Sequence, residues 1–197
     1  MGKERLLAMT DGVTAIIITI MVLELKVPEH ATLEALAESW HTFLAYAFSF
    51  IYVAIYWNNH HHYFHLVHRV NGALLWANFN LLFWISLVPF ATAWMGETEF
   101  APVPTAVYGL ALFMPAFSWW IMERVIMHDQ GKESLMRQVL GRDLKANLSP
   151  LLYAAGIGSS LFLPWLGMLF YFGVALIWLV PDRRIEHMAA RQNHNQI

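Results

Sequence analysis

Apolar residues gather into long runs along this chain, separated by short polar segments. Five runs stand out, at 9–25, 40–57, 73–95, 105–127 and 148–180. A helix needs about 20 mostly apolar residues to cross the hydrocarbon of a bilayer. Each of the first four runs therefore predicts one spanning helix. The fifth holds 33 residues, too many for one span, and Leu163-Pro164-Trp165 interrupts it. Proline lacks a backbone donor and disfavours helix in the residue before it. This run is expected to form two short helices, 148–162 and 165–180, paired as a hairpin.

The polar segments test that layout. With the N-terminus on the cytoplasmic side, Lys3, Arg5, Arg69, Arg124, Lys132, Arg137, Arg142, Lys145, Arg183, Arg184 and Arg191 fall inside. Lys26 alone falls outside, together with Glu29, Glu34, Glu38, Glu97 and Glu99. Short cytoplasmic loops carry an excess of Lys and Arg, and a wrong helix count would scramble so lopsided a split. The expectation is an all-α integral membrane protein with six transmembrane helices and both termini cytoplasmic. Thr32, Glu34 and Glu38 predict a short amphipathic approach to the second span. Leu135, Val139 and Leu144, among the basic residues of Gln130–Lys145, predict a surface helix at the interface. No internal repeat divides the chain, so residues 1–197 are expected to form a single domain.

Composition agrees, with 58% hydrophobic and only 13% charged residues. Soluble domains carry nearer a quarter charged residues. The absence of cysteine excludes a disulfide framework, a thiolate metal site and a cysteine nucleophile. MGKERLLAM resembles the start of a signal peptide, but Asp11 interrupts it and no small-residue cleavage site follows Leu25. The segment is expected to be a retained span. No basic cluster with interleaved aromatics points to nucleic acid.

Three groups of residues are candidates for chemistry. Arg5 and Asp11 stand at the mouth of the first span, where charges are costly and usually face a protein interior or a water-filled path. Behind them Ile16, Ile20 and Leu23 follow helical spacing, with Thr19 alongside. The pattern by itself also fits any packed span. The second group is the run His60-His61-His62 with His65 and His68. His61 and His65 share one helix face at a spacing that suits a divalent metal. No acidic residue completes a site and no HExxH pattern occurs, so interfacial hydrogen bonding is the plainer reading. The third group is Asn78 and Asn80 in the third span, followed by Ser86, Pro89 and Thr92. Amides inside a span usually bond to a neighbouring helix. Trp40, Trp57, Trp84, Trp94, Trp165 and Trp178 fit an aromatic belt. The chain lacks a TVGYG filter, a GxSxG elbow, a P-loop and an arginine-rich voltage-sensing helix.

Arg5-Leu6-Leu7-Ala8-Met9-Thr10-Asp11 resembles the Arg-x-x-x-Phe-Ser-Asp signature of the transmembrane protein 175 family of potassium-permeable channels. Met9 stands in place of Phe and Thr10 in place of Ser. Trp57-x-x-His60-His61 with Phe64, and Leu75-Trp76-Ala77-Asn78 running to Leu87-Val88-Pro89-Phe90, extend the likeness across the six-span layout. The resemblance implies a homotetrameric cation channel without the usual potassium filter, its first helices lining a central pore. It implies pore-lining positions at Ile16, Ile20 and Leu23, with the isoleucine constriction at Ile16. Thr19, one turn further out, is a candidate selectivity residue on physical grounds, since its hydroxyl can replace part of a cation's hydration shell. The resemblance further implies a buried polar network behind the pore, falling on Arg5, Thr10, Asp11, His60 or His61, and Asn78. No cofactor, metal or catalytic residue is implied beyond the permeant potassium ion. The implied partners are further copies of the chain, the lipid of a bacterial plasma membrane and monovalent cations. Two other readings stay open from the residues: a metal- or cofactor-binding enzyme built on His60, His61 and His65, and a secondary transporter. The second is disfavoured because no span has the broken midplane form of a substrate site.

Overall fold

The computed structural model describes residues 2–65, 67, 69–129 and 144–179, which form helices and their connections with no strand. The helices are α1 (Lys3–Leu23), α2 (Leu33–Glu38), α3 (Trp40–His65), α4 (Gly72–Ile85), α5 (Val88–Glu97), α6 (Pro102–Asp129), α7 (Leu144–Ser160) and α8 (Pro164–Leu179). Lys3–Leu23, the combined α4–α5 run Gly72–Glu97, and Pro102–Asp129 are each long and apolar enough to cross a membrane, while Pro164–Leu179 is apolar but shorter. The surface helix expected within Gln130–Lys145 lies outside the described residues up to 143. So do His68, Lys132, Arg137, Arg142, Arg183, Arg184 and Arg191.

Local chemistry sets the helix boundaries. Thr32 caps α2 by accepting the Ala35 amide at 3.2 Å, and Asn71 caps α4 by accepting the Leu74 amide at 2.8 Å. The same Asn71 donates to Asp129 Oδ1 at 2.8 Å, tying the start of α4 to the end of α6. The α7–α8 break falls at Leu161–Leu163, just before Pro164, where the sequence places it. The third apolar run is one helix in sequence pattern but two in structure, which overturns the expectation that no span is broken near its middle. Pro89 has no amide hydrogen for the Ile85 carbonyl, and the helix breaks at Ser86–Leu87 before resuming as α5. Helix α3 runs past the apolar stretch: Asn58 to His65 continue it, with His60, Tyr63 and Phe64 buried in the bundle.

The turn after α5 closes as a Schellman motif. The Phe100 amide donates to Met95 O at 2.9 Å and the Glu99 amide to Gly96 O at 3.2 Å. Glu99 and Phe100 both take positive φ, 52° and 60°. Glycine usually fills the first of these positions, since a Cβ there crowds the following carbonyl. Phe100 compensates by burying its ring against Trp165 and Trp40.

Helices α3 and α6 run through two apolar clusters. One packs α1, α4 and the later halves of α3 and α6 around Leu6, Ile17, Phe64, Leu81 and Met122. The other joins the earlier halves of α3 and α6 to α5, α7 and α8 around Phe48, Leu112, Tyr153 and Tyr171. Tyr171 sits where glycines open room for it. A Cβ on Gly109 would overlap the Tyr171 hydroxyl, and one on Gly156 would press on its ring. Polar groups inside the bundle bond across helices: Thr92 Oγ1 donates to Ser49 Oγ at 2.7 Å, and Asn80 Nδ2 to Ser118 Oγ at 2.7 Å.

Candidate functional site on the first helix

The two faces of α1 have opposite fates. Leu6, Thr10, Thr14, Ile17 and Met21 follow four-, four-, three- and four-residue steps, one stripe of a 3.6-residue helix, and all are buried. Ile16, Ile20 and Leu23 lie off that stripe and are 59%, 40% and 80% exposed. Only 28% of the apolar window of α1 is buried within the subunit, against 50% for α6. Thr19 lies on the exposed side and donates its hydroxyl hydrogen to Ile16 O at 2.9 Å. A groove of about 440 Å³ runs beside this side of α1, lined by Val13, Ile16 and Ile20 on one wall and Ser86, Pro89 and Phe90 on the other.

A chain of hydrogen bonds pins the buried stripe. Thr10 Oγ1 donates to Leu6 O at 3.0 Å, Asn78 Nδ2 donates to Thr10 Oγ1 at 3.0 Å, and Asn78 Oδ1 meets His60 Nε2 at 2.8 Å. The direction of the chain follows from its end. The one Thr10 hydroxyl hydrogen is committed to a carbonyl, so Thr10 accepts from the Asn78 amide group. The Asn78 oxygen then faces His60 and needs a donor, which makes His60 the Nε2–H tautomer. Thr10, Asn78 and His60 are 3%, 1% and 3% exposed. Hydrogen-bonded partners are what such burial requires.

The remaining residues expected in this network stand elsewhere. Asp11 lies on the surface of the subunit, where its Oδ1 accepts from Trp57 Nε1 at 2.8 Å. Arg5 is exposed and makes no ion pair or hydrogen bond among the described residues. Six helical positions separate two side chains by about 120° around the axis and 9 Å along it, so Arg5 and Asp11 cannot meet on one helix. His61 is exposed too, and its partner is His65. Of the two histidines the resemblance offered, His60 is the one that reaches Asn78. Met9, where the signature has Phe, is 41% exposed, so that departure leaves the subunit core unaltered.

Trp57 is the residue sequence reasoning missed. It reads as one more belt tryptophan, and its position three residues before His60 was the available signal: from one turn of α3, Trp57 reaches Asp11 on α1 and His60 reaches Asn78 on α4. The metalloenzyme reading loses its basis because adjacent helical residues point about 100° apart. His60 turns inward while His61 and His65 turn outward. Among the described residues no group of three or more His, Asp or Glu residues is placed to hold a metal ion.

Among the described residues, helices of spanning length and a first helix with an exposed apolar stripe pinned behind by a polar chain are the features of a helical membrane protein. Comparison with known proteins gives the family. Residues 5–89, from α1 to the start of α5, match the family described as endosomal/lysosomal potassium channel TMEM175. A potassium channel of Chryseobacterium sp. (strain P1-3) is 53% identical over 186 residues, 94% of this chain and 97% of the relative. A potassium channel of Streptomyces collinus is 36% identical over 132 residues, 61% of this chain and 64% of that one. The crystal structure of a lysosomal potassium-selective channel TMEM175 homolog from Chamaesiphon minutus superposes with a TM-score of 0.79 at 29% identity, covering 89% of this chain and 95% of that one. The chain belongs to the TMEM175 family of potassium channels, a family of ion channels and not of enzymes.

Proposed function

We propose that this chain forms a potassium-permeable cation channel, a homotetramer in the bacterial plasma membrane with α1 of each copy around a central pore. The observation that carries the reading is the exposed stripe of Ile16, Ile20 and Leu23 on α1, the least buried of the three helical runs long and apolar enough to cross a membrane. Four copies about one axis turn Ile16 into a ring of branched side chains. Water leaves a narrow apolar ring because too few hydrogen-bond partners remain there, and an ion then cannot pass with its shell. The groove between α1 and α5 offers an adjacent copy of α1 a place to pack. Thr19 donates its hydroxyl hydrogen bond to Ile16 O, so its oxygen lone pairs are free to face a cation. A ring of four such oxygens replaces part of a hydration shell. Its selectivity is weaker than that of a carbonyl filter, and the sequence has no TVGYG segment to supply one.

The Thr10–Asn78–His60 chain and the Trp57–Asp11 bond set the angle of α1 from behind, and with it the width of the ring. Six spans with both termini in the cytoplasm fit the distribution of basic residues, eleven on one side against Lys26 on the other. Residues 1–197 then act as one six-helix membrane domain. The test is potassium flux through the purified protein in liposomes. Ile16→Asn places a polar ring at the constriction and is expected to raise flux. Unchanged flux from intact tetramers would move the gate away from Ile16.

A further inference from the structure

We propose that His61 and His65 form a two-histidine binding site for a divalent transition metal on the last turns of α3. The two Nε2 atoms face each other at 3.1 Å, with ring planes at 84° and centroids 4.6 Å apart. Two imidazole nitrogens bound to one ion at about 2.0–2.1 Å lie about 2.9 Å apart at a right angle and about 3.3 Å apart at a tetrahedral angle. The spacing found here falls between the two, so the pair needs no rearrangement to accept either geometry.

The surroundings favour ligation by this pair and no other. Both side chains are exposed and held on one face of a continuous helix by their four-residue spacing. Trp57, itself bonded to Asp11, lies beside the His61 ring, with centroids 6.1 Å apart and ring planes at 24°. His60 is committed to Asn78 and points into the bundle, and His62 lies edge-on to His61 on another side of the helix. Among the described residues neither histidine bonds to a carboxylate, so the ion must favour neutral nitrogen donors. Imidazole suits zinc, copper and nickel, while magnesium and calcium take oxygen ligands. Water fills the remaining positions. Metal-free, one ring donates its Nε2 hydrogen to the other. Ligation moves that hydrogen to Nδ1 of the same ring, so both Nε2 lone pairs converge on the ion. A bound ion ties together two successive turns of α3 just before the connection to α4.

The test is zinc titration of the tag-free, chelator-treated full chain in detergent, followed by calorimetry. Loss of even an outer partner of a metal site weakens binding about 10- to 100-fold. His61→Asn and His65→Asn are therefore each expected to lose at least about tenfold in affinity, and His62→Asn to lose nothing. Electron paramagnetic resonance of the copper-loaded wild-type protein provides a reading independent of any variant and is expected to show two coordinating imidazole nitrogens. Zinc binding unchanged in His61→Asn and His65→Asn, or a copper spectrum without two imidazoles, would overturn the site.

Discussion

Asn78 on α4 donates to Thr10 on α1 at 3.0 Å, and this is the only side-chain hydrogen bond joining those two helices among the described residues. It passes through an almost sealed site, so each end depends on the other. Replacing Asn78 by Leu keeps the volume but strands the His60 Nε2–H and the Thr10 oxygen. A buried group left without its partner costs about 1–3 kcal/mol. Asn78→Leu is expected to lower the melting temperature of the detergent-solubilised protein clearly. Thr10→Ser, which keeps the hydroxyl, is expected to stay close to wild type, and Thr10→Val to follow Asn78→Leu.

Arg5→Ala tests the division between the buried chain and the surface. Arg5 is exposed in the subunit, and exposed substitutions away from special features change stability by about 0.5 kcal/mol or less. The helical content and melting of the subunit are expected to be unchanged, as measured by circular dichroism. A loss as large as that of Asn78→Leu would show that Arg5 is buried by a neighbouring copy.

The contrast between Arg5 and Asn78 shows what could be read from sequence. Helix positions were legible, because apolar runs, Pro164 and the basic residues are one-dimensional signals. The stripe Ile16, Ile20, Leu23 was legible as a spacing, and Asn78 as an amide that needed a partner. Pairing was not. Arg5 and Asp11 look like companions along the chain, but helical geometry places them on different sides of α1, and Asp11 finds Trp57 from α3. His60 and His61 are adjacent in sequence, and only their phase relative to α4 and α1 decides which one enters the bundle. The break at Ser86–Leu87 was passed over because the hydrophobic pattern runs through it, although Pro89 signals it in the same way that Pro164 signals the break before α8.

Gly109 provides a packing test far from α1. A methyl group there overlaps the Tyr171 hydroxyl, which is enclosed by α6, α7 and α8. Overpacking of this kind costs about 1–3 kcal/mol, sometimes more. Gly109→Ala is expected to reduce the yield of monodisperse protein on size exclusion and to lower its melting temperature.

Glu99 holds a left-handed conformation with φ of 52° at the position after a helix where glycine is usual. For a residue with a Cβ that conformation costs about 1 kcal/mol or more. Glu99→Gly is expected to raise the melting temperature modestly, since the strain is relieved and the Schellman bonds of Glu99 and Phe100 use backbone atoms alone.

The central claim is that the exposed stripe of α1 faces the ion path while the stripe behind it faces the subunit core. The chain has no cysteine, so single cysteines introduced into it are the sole targets for thiol chemistry. The most direct measurement is potassium flux in liposomes before and after a charged, water-soluble thiol reagent, applied to Ile16→Cys, Ile20→Cys, Leu23→Cys and the buried controls Ile17→Cys and Met21→Cys. The account predicts that the reagent changes flux at Ile20→Cys and Leu23→Cys, reaches Ile16→Cys when the pore conducts, and leaves the two controls unaltered. Flux that responds at Ile17→Cys and Met21→Cys but not along the Ile16–Leu23 stripe would contradict it.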